Sequence, residues 1–211
     1  MQLDIYGGFY KSQSLPVSAQ QLINAFVQVQ ETTGGLSQAT INPMPGLTQR
    51  ATTGAFTSDI NRGVWEMDGV PYFVNGTDLV SLDSSHTLST LSSAVTGTGE
   101  LSLSDNGYQL FILIPGGSGF TWNATTSTFA QITDADFTAN GAPQYVCFID
   151  GYSVCTTSTK KFIISALNDS MSWNALDFGS AETDPDAIVA PWVLNNRLYI
   201  FGTETIQPYR N

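Results

Sequence analysis

The chain has 211 residues, 42% hydrophobic and 12% charged, with 18 acidic against 7 basic residues and a formal net charge of −11. That balance excludes sequence-independent nucleic-acid binding, which needs clustered Lys and Arg to release phosphate counterions. No apolar run approaches the ~20 residues of a membrane-spanning helix, and two cysteines with one histidine are too few for a zinc site or an oxidised scaffold.

Residues 1–55 are expected to form an arm, mostly extended, rather than a separate domain. Leu15-Pro16, Pro43-Met44-Pro45-Gly46 and two Gly-Gly pairs punctuate this stretch. Leu22 to Gln30 reads either as an amphipathic helix after Ser18 or as a strand alternating through Ala25, Val27 and Val29; the extended reading is preferred. Met1-Gln2-Leu3-Asp4 is not a basic segment followed by an apolar one, so no secretory signal is expected.

Residues 56–211 carry a spaced series of hairpin turns: Asp68-Gly69, Asn106-Gly107, Asp150-Gly151 and Asn195-Asn196. The intervals between second turn residues are 38 (Gly69 to Gly107), 44 (Gly107 to Gly151) and 45 (Gly151 to Asn196). Such pairs take positive φ at low cost and match the twist of flanking strands. Short β-branched or aromatic runs bound each turn, from Val64-Trp65-Glu66-Met67 to Arg197-Leu198-Tyr199-Ile200-Phe201, as strands should. A strand–turn–strand unit recurring every ~40–45 residues is the signature of a β-propeller blade. The fold expected is therefore all-β: a β-propeller of about four visible blade-like units, whole or part of a larger ring, behind an extended N-terminal arm. A sandwich or barrel with evenly spaced turns is the alternative. Thr121-Trp122-Asn123-Ala124 and Ser172-Trp173-Asn174-Ala175 read as matching outer hairpins, with Ser81-Leu82-Asp83-Ser84 a weaker copy.

Chemistry-bearing residues are sparse. A strict two-residue turn at Asp150-Gly151 sets Cys147 opposite Val154 and points Cys155 to the other face; a three-residue loop would set the cysteines across from each other. Buried free thiols are the preferred reading. His86, the one residue available to a Ser-His-Asp triad, falls in the turn-like Asp83–Thr87 and reads as a solvated loop residue. Glu182, Asp184 and Asp186 would suit a hard cation, but without EF-hand spacing they read as a solvated connection. Asp134 and Asp136 would need a partner geometry to act as glycosidase carboxylates and read as turn formers. Gly116-Gly117-Ser118-Gly119 lacks the Lys and helix of a phosphate loop. Lys160-Lys161 reads as a strand edge protected against stray pairing. No catalytic, cofactor-binding or metal-binding residue is assigned.

The run Ile163–Val189, IISALNDSMSWNALDFGSAETDPDAIV, with LYIFGTETIQPY at Leu198–Tyr209, FIDGY at Phe148–Tyr152 and PMPGL at Pro43–Leu47, resembles the phage stabilisation proteins. These are the tail-hub, or packaged-DNA stabilisation, proteins of short-tailed phages. The resemblance runs from about Gln21 to Tyr209. It implies a non-enzymatic structural protein of the virion tail, assembled in the bacterial host cytoplasm. It also implies a hub or connector below the portal, with no cofactor and no sequence-specific nucleic-acid binding. The implied partners are copies of itself in a hexameric ring, portal and adaptor proteins, a tail needle, and fibres or spikes. Four units are fewer than a longer relative would carry. Either the ring is incomplete here, a second polypeptide completes it, or four units close alone; an exposed blade face of about 500 Å² would forgo roughly 12 kcal/mol of burial. Two other functions compete: a receptor- or glycan-binding propeller stacking sugars on Trp122 and Trp173, and a propeller glycoside hydrolase using Asp134, Asp136 or the Glu182–Asp186 loop.

Overall fold

The computed structural model describes residues 23–29, 39–48, 60–181 and 186–210. The chain divides into two compact units, Met1–Gln49 and Arg50–Asn211. In the first unit, strand β1 (Ala25–Val29) pairs antiparallel with β2 (Ala39–Pro43), Val27 opposite Ile41. The extended reading of this segment holds and the helix does not. Exposure alternates along it, Ala25 and Val27 half-buried and Phe26 and Gln28 exposed, which is the period of a strand.

The second unit is a succession of antiparallel meanders. The first sheet is β3 (Asn61–Met67), β4 (Val70–Asn75), β5 (Asp78–Leu82) and β6 (Leu88–Ser92). The second is β7 (Ser102–Asp105), β8 (Gln109–Leu113), β9 (Gly119–Asn123) and β10 (Thr128–Gln131). A 3-10 turn at Ala135–Phe137 leads to the third: β11 (Pro143–Ile149), β12 (Tyr152–Thr157), β13 (Lys161–Ala166) and the twelve-residue β14 (Asp169–Ser180). The fourth has three strands, β15 (Ile188–Leu194), β16 (Arg197–Gly202) and β17 (Ile206–Tyr209).

The expected turn series forms the first hairpin of every sheet. Met67 pairs with Val70, Ile149 with Tyr152 and Leu194 with Arg197, so three turns are two-residue loops. Their central residues all have positive φ: 51° and 74° at Asp68-Gly69, 50° and 88° at Asp150-Gly151, 49° and 56° at Asn195-Asn196. The second turn is slipped by one. Asp105 pairs with Leu110, and the Asn106 carboxamide oxygen accepts from the Tyr108 and Gln109 amides at 3.2 and 2.7 Å.

Three apolar cores bind successive sheets. Met67, Tyr72, Val74 and Leu79 of the first meet Leu110, Ile112, Phe120 and Trp122 of the second. Phe111 and Leu113 meet Val146, Cys155, Ile163 and Trp173 of the third, with Phe137 wedged between Phe111 and Trp173. Val154 and Phe162 meet Leu198 and Ile200 of the fourth. Among the described residues no such core joins the fourth sheet to the first. Arg62 is the buried polar hub of the first sheet. Its guanidinium donates to the carbonyls of Gly76, Val95, Thr96 and Gly99 at 2.9–3.2 Å, pinning the connection into β7.

Candidate interaction surface

The first strands of all four sheets, β3, β7, β11 and β15, line one open cleft of about 540 Å³. Its walls include Val64, Trp65, Leu103, Tyr145, Phe148 and Trp192. Trp65, Tyr145 and Trp192 are 36%, 42% and 64% exposed, so the cleft mouth offers aromatic surface. Exposed aromatic and apolar area of this kind marks a contact surface when it is contiguous. The polar feature at its rim is a hydrogen bond of 2.6 Å from the Trp65 indole N–H to Asp105 Oδ2, which ties the first sheet to the second.

The second and third sheets are tied by four further bonds. The Tyr108 hydroxyl and the Asn106 carboxamide both donate to the Asn168 carbonyl, the second at 3.3 Å. The Val146 amide donates to Ser102 Oγ at 2.9 Å, and the Ser170 amide to Gln109 Oε1 at 3.2 Å. Of these, the Trp65–Asp105 and Val146–Ser102 bonds join cleft strands, β3 to β7 and β7 to β11.

The carboxylates singled out in the sequence are occupied by the backbone. Asp134 Oδ2 accepts from the Trp173 amide at 2.9 Å and its Oδ1 from the Asp136 amide at 3.0 Å; Asp136 Oδ2 accepts from the Ala175 amide at 3.2 Å. They satisfy the outer edge of β14, the exposed row of donors that a sheet must cover. Both carboxylates are thus engaged in backbone hydrogen bonds that hold the 3-10 turn and β14, the work of turn and edge caps. Glu182 and Asp184 lie outside the described residues. Asp186 accepts from the amides of Glu204 and Thr205, both at 2.9 Å, and from the Thr205 hydroxyl at 3.1 Å, closing the β16–β17 turn. These bonds hold its carboxyl below the ordinary carboxylate range. Among the described residues no group of three or more His, Cys, Asp and Glu comes together.

Trp122 and Trp173 are buried, 7% and 6% exposed, in the cores between sheets. The sugar-stacking reading loses its basis, because neither ring face is open. They are not equivalent residues either: Trp122 stands on the third strand of its sheet and Trp173 on the fourth. Lys161 is a second correction. It lies on the interior strand β13, where its ammonium donates to Asn140 Oδ1 at 3.0 Å and sits 4.1 Å from the Phe178 ring centre. The edge belongs to β14. His86 is exposed, at φ 63°, in the β5–β6 turn. Cys147 and Cys155 are free thiols opposite Val154 and Val146, so they point to opposite faces of the third sheet. The residues that sequence reasoning passed over are Trp65, Asp105, Tyr145 and Trp192. The signal that would have found them is their shared place on first strands, just ahead of or at the recurring turns.

The family described as "Bacteriophage P22 Gp10, beta-propeller" matches residues 1–211. Among curated proteins none matches this chain. Solved structures of similar fold include BamB from Moraxella catarrhalis, at 16% identity and a TM-score of 0.51, covering 69% of this chain and 42% of that one. The computationally designed Ika8 protein is similar at 10% identity and a TM-score of 0.56, covering 91% of this chain and 57% of its own. The designed Ika4 protein is similar at 10% identity and a TM-score of 0.53, covering 78% of this chain and 99% of its own. The chain thus spans less than two thirds of the first two structures. At these identities the likeness shows the fold alone.

Proposed function

We propose that this chain, which belongs to the phage-stabilisation family of the Bacteriophage P22 Gp10 β-propeller, is a structural protein of the phage tail that works by contact rather than chemistry. Membership of that family supports a phage structural role and a place in the virion. The finer role is a hub or connector below the portal. There, copies of the chain gather in a ring, six by the family resemblance, dock portal, adaptor, needle and fibre or spike proteins, and help retain packaged DNA.

The observation that carries this reading is the fate of the polar groups. Asp134, Asp136 and Asp186 cap turns and a strand edge, while Trp65, Tyr145 and Trp192 stand exposed together on first strands along one cleft. Such a surface suits protein contact, in which aromatic anchors carry much of the binding energy. The net charge of −11 suits a wall past which DNA moves without sticking.

The test is a phage with a nonsense codon in this gene. Heads that fill with DNA and then lose it, in particles lacking the tail hub, are the expected result. Immunogold label at the tail base of wild-type virions is the second. Full retention of DNA in particles that lack the chain would reject the role.

A further inference from the structure

Lys161 and Asn140 are 21 residues apart in sequence and in contact in the fold, both half-buried. Lys161 Nζ donates to Asn140 Oδ1 at 3.0 Å and lies 4.1 Å from the Phe178 ring centre. Among the described residues no carboxylate pairs with it. A lysine usually lays its stem on apolar surface and leaves its head in water. Here the head is turned onto a neutral carboxamide and against an aromatic ring.

The contact is built from both sides. The Thr159 hydroxyl donates to the Asn140 carbonyl at 3.1 Å and accepts from the Lys161 amide at 3.2 Å, so one side chain ties both backbones. The next residue, Gly141, has φ 110° and runs close against the β12–β13 turn: a Cβ built on it would lie 2.8 Å from Thr159 Cγ2. Asn140 Nδ2 donates to the Ala175 carbonyl at 2.8 Å, and Asp136 Oδ2 accepts from the Ala175 amide at 3.2 Å. The N–H and C=O of one extended residue point to the same side. The Asp136 carboxylate and the Asn140 carboxamide nitrogen therefore meet the same stretch of the open edge of β14. The carboxamide is fixed with its oxygen toward the lysine and its nitrogen on the side of a carboxylate.

We infer that Lys161 and Asn140 form an intramolecular isopeptide bond. The neutral amine Nζ attacks Asn140 Cγ, the carbon one bond from the oxygen it already touches. A C–N bond forms, the Cγ–Nδ2 bond breaks, and Nδ2 leaves as ammonia. One proton passes from Nζ to Nδ2, and nothing is oxidised or reduced. Asp136 is the group placed to carry that proton. Holding an amine against the carbonyl it attacks turns an encounter into a first-order step, which lets an unactivated carboxamide react. The product ties the loop after the 3-10 turn to the start of β13, where Asp134 and Asp136 already hold the edge of β14 by hydrogen bonds. The bond stands apart from the tail role proposed above, because it rests on this contact alone.

Mass spectrometry of the purified 211-residue chain tests it. After incubation at 37 °C and pH 9, where more of any lysine is the neutral amine, the intact mass is expected to fall short of the sequence mass by one ammonia. Trypsin is then expected to yield a branched product, residues 63–160 joined to 161–197 through Lys161, since an acylated lysine is not cleaved. Lys161→Arg keeps the charge and removes the nucleophile, and the branch is expected to vanish. Asp136→Asn is expected to slow branching by about a hundredfold. A wild-type digest in which 63–160 is found only unlinked overturns the proposal, and it decides alone should a variant fail to fold. Loss of ammonia without the branch is a succinimide at Asn140-Gly141 and overturns it too. A branch that forms as fast in Asp136→Asn overturns the part given to that carboxylate.

Discussion

Asp134 holds Trp173 through the backbone: its Oδ2 accepts the Trp173 amide at 2.9 Å, across 39 residues of sequence. The same carboxylate accepts the Asp136 amide through Oδ1. One side chain therefore anchors the 3-10 turn and the edge of β14 together. With the Trp173 ring tilted against Phe137, centres 4.9 Å apart, this clamps the outer side of the core between the second and third sheets.

Removing that clamp should cost stability in two steps. A hydrogen bond to a charged group contributes about 1.5–3 kcal/mol, and an amide left unpaired adds its desolvation penalty. Asp134→Ala is expected to lower unfolding free energy by about 3 kcal/mol in urea. Asp134→Asn keeps one acceptor oxygen and should lose about half of that. Equal effects of the two substitutions would mean that only one of the two bonds matters.

The Trp65–Asp105 bond is more exposed, so its loss should be smaller. Asp105→Ala is expected to cost about 1 kcal/mol, within the range for a partly solvated hydrogen bond. The informative readout is local. In a Trp192→Phe background, where Trp122 and Trp173 are buried, acrylamide quenching should rise as the Trp65 indole loses its tether to β7.

Asp186 gives a pH dependence of definite sign. Its carboxyl is held below the ordinary value, first by the amide of Glu204, then by that of Thr205. A group whose pKa is depressed by folding adds stability above its unfolded pKa. It loses that stability as pH falls through the folded value. The melting temperature of wild-type protein is expected to exceed that of Asp186→Asn near neutrality. The gap should close as the pH falls below the ordinary carboxylate pKa of about 3.9. A gap that widens on acidification would contradict the hydrogen bonding described.

The thiols should be inert in the native state. Burial pushes the Cys147 thiol up to about 12. Burial first, and then the neighbouring Cys147, raises Cys155 well above its usual value. Thiolate is the reactive form, so alkylation at pH 8 should be slow until denaturant is added, when both residues should label. Rapid native labelling would mean that the third sheet opens locally.

Much of this architecture is legible from residues close in sequence. Asp68-Gly69, Asp150-Gly151 and Asn195-Asn196 announce their hairpins because two consecutive positive φ values demand such residues. The outer strands are less legible. The hairpin from β13 to β14 turns at Leu167-Asn168, which carries no glycine, and β14 bulges between Trp173 and Phe178. Hence Ser172–Ala175 mimics Thr121–Ala124 without sharing its place, and Lys161 reads as an edge residue though β14 lies outside it. The work of Asp134 and Asp136 is invisible in sequence, since their partners stand 39 residues away. The family resemblance, read from about Gln21 to Tyr209, extends over the whole chain.

Gly179 offers the sharpest packing test. It pairs across the ladder with Phe162, and a Cβ built on it would lie 2.1 Å from Phe162 Cζ and 2.7 Å from both Cε atoms. The ring therefore rests on a bare backbone, held from its other side by the Tyr209 ring at 5.0 Å. Ring burial is nearly complete, so it has no room to swing away. Gly179→Ala is expected to destabilise by about 2–3 kcal/mol, the range for overpacking a filled core. The same substitution in a Phe162→Leu background should cost about 1 kcal/mol or less, because the smaller side chain leaves space for the methyl group. That difference is a coupling energy between contacting residues and can be read by a double-mutant cycle in urea. Additive costs would mean that the strain at Gly179 is relieved by backbone movement along β14 rather than against the ring.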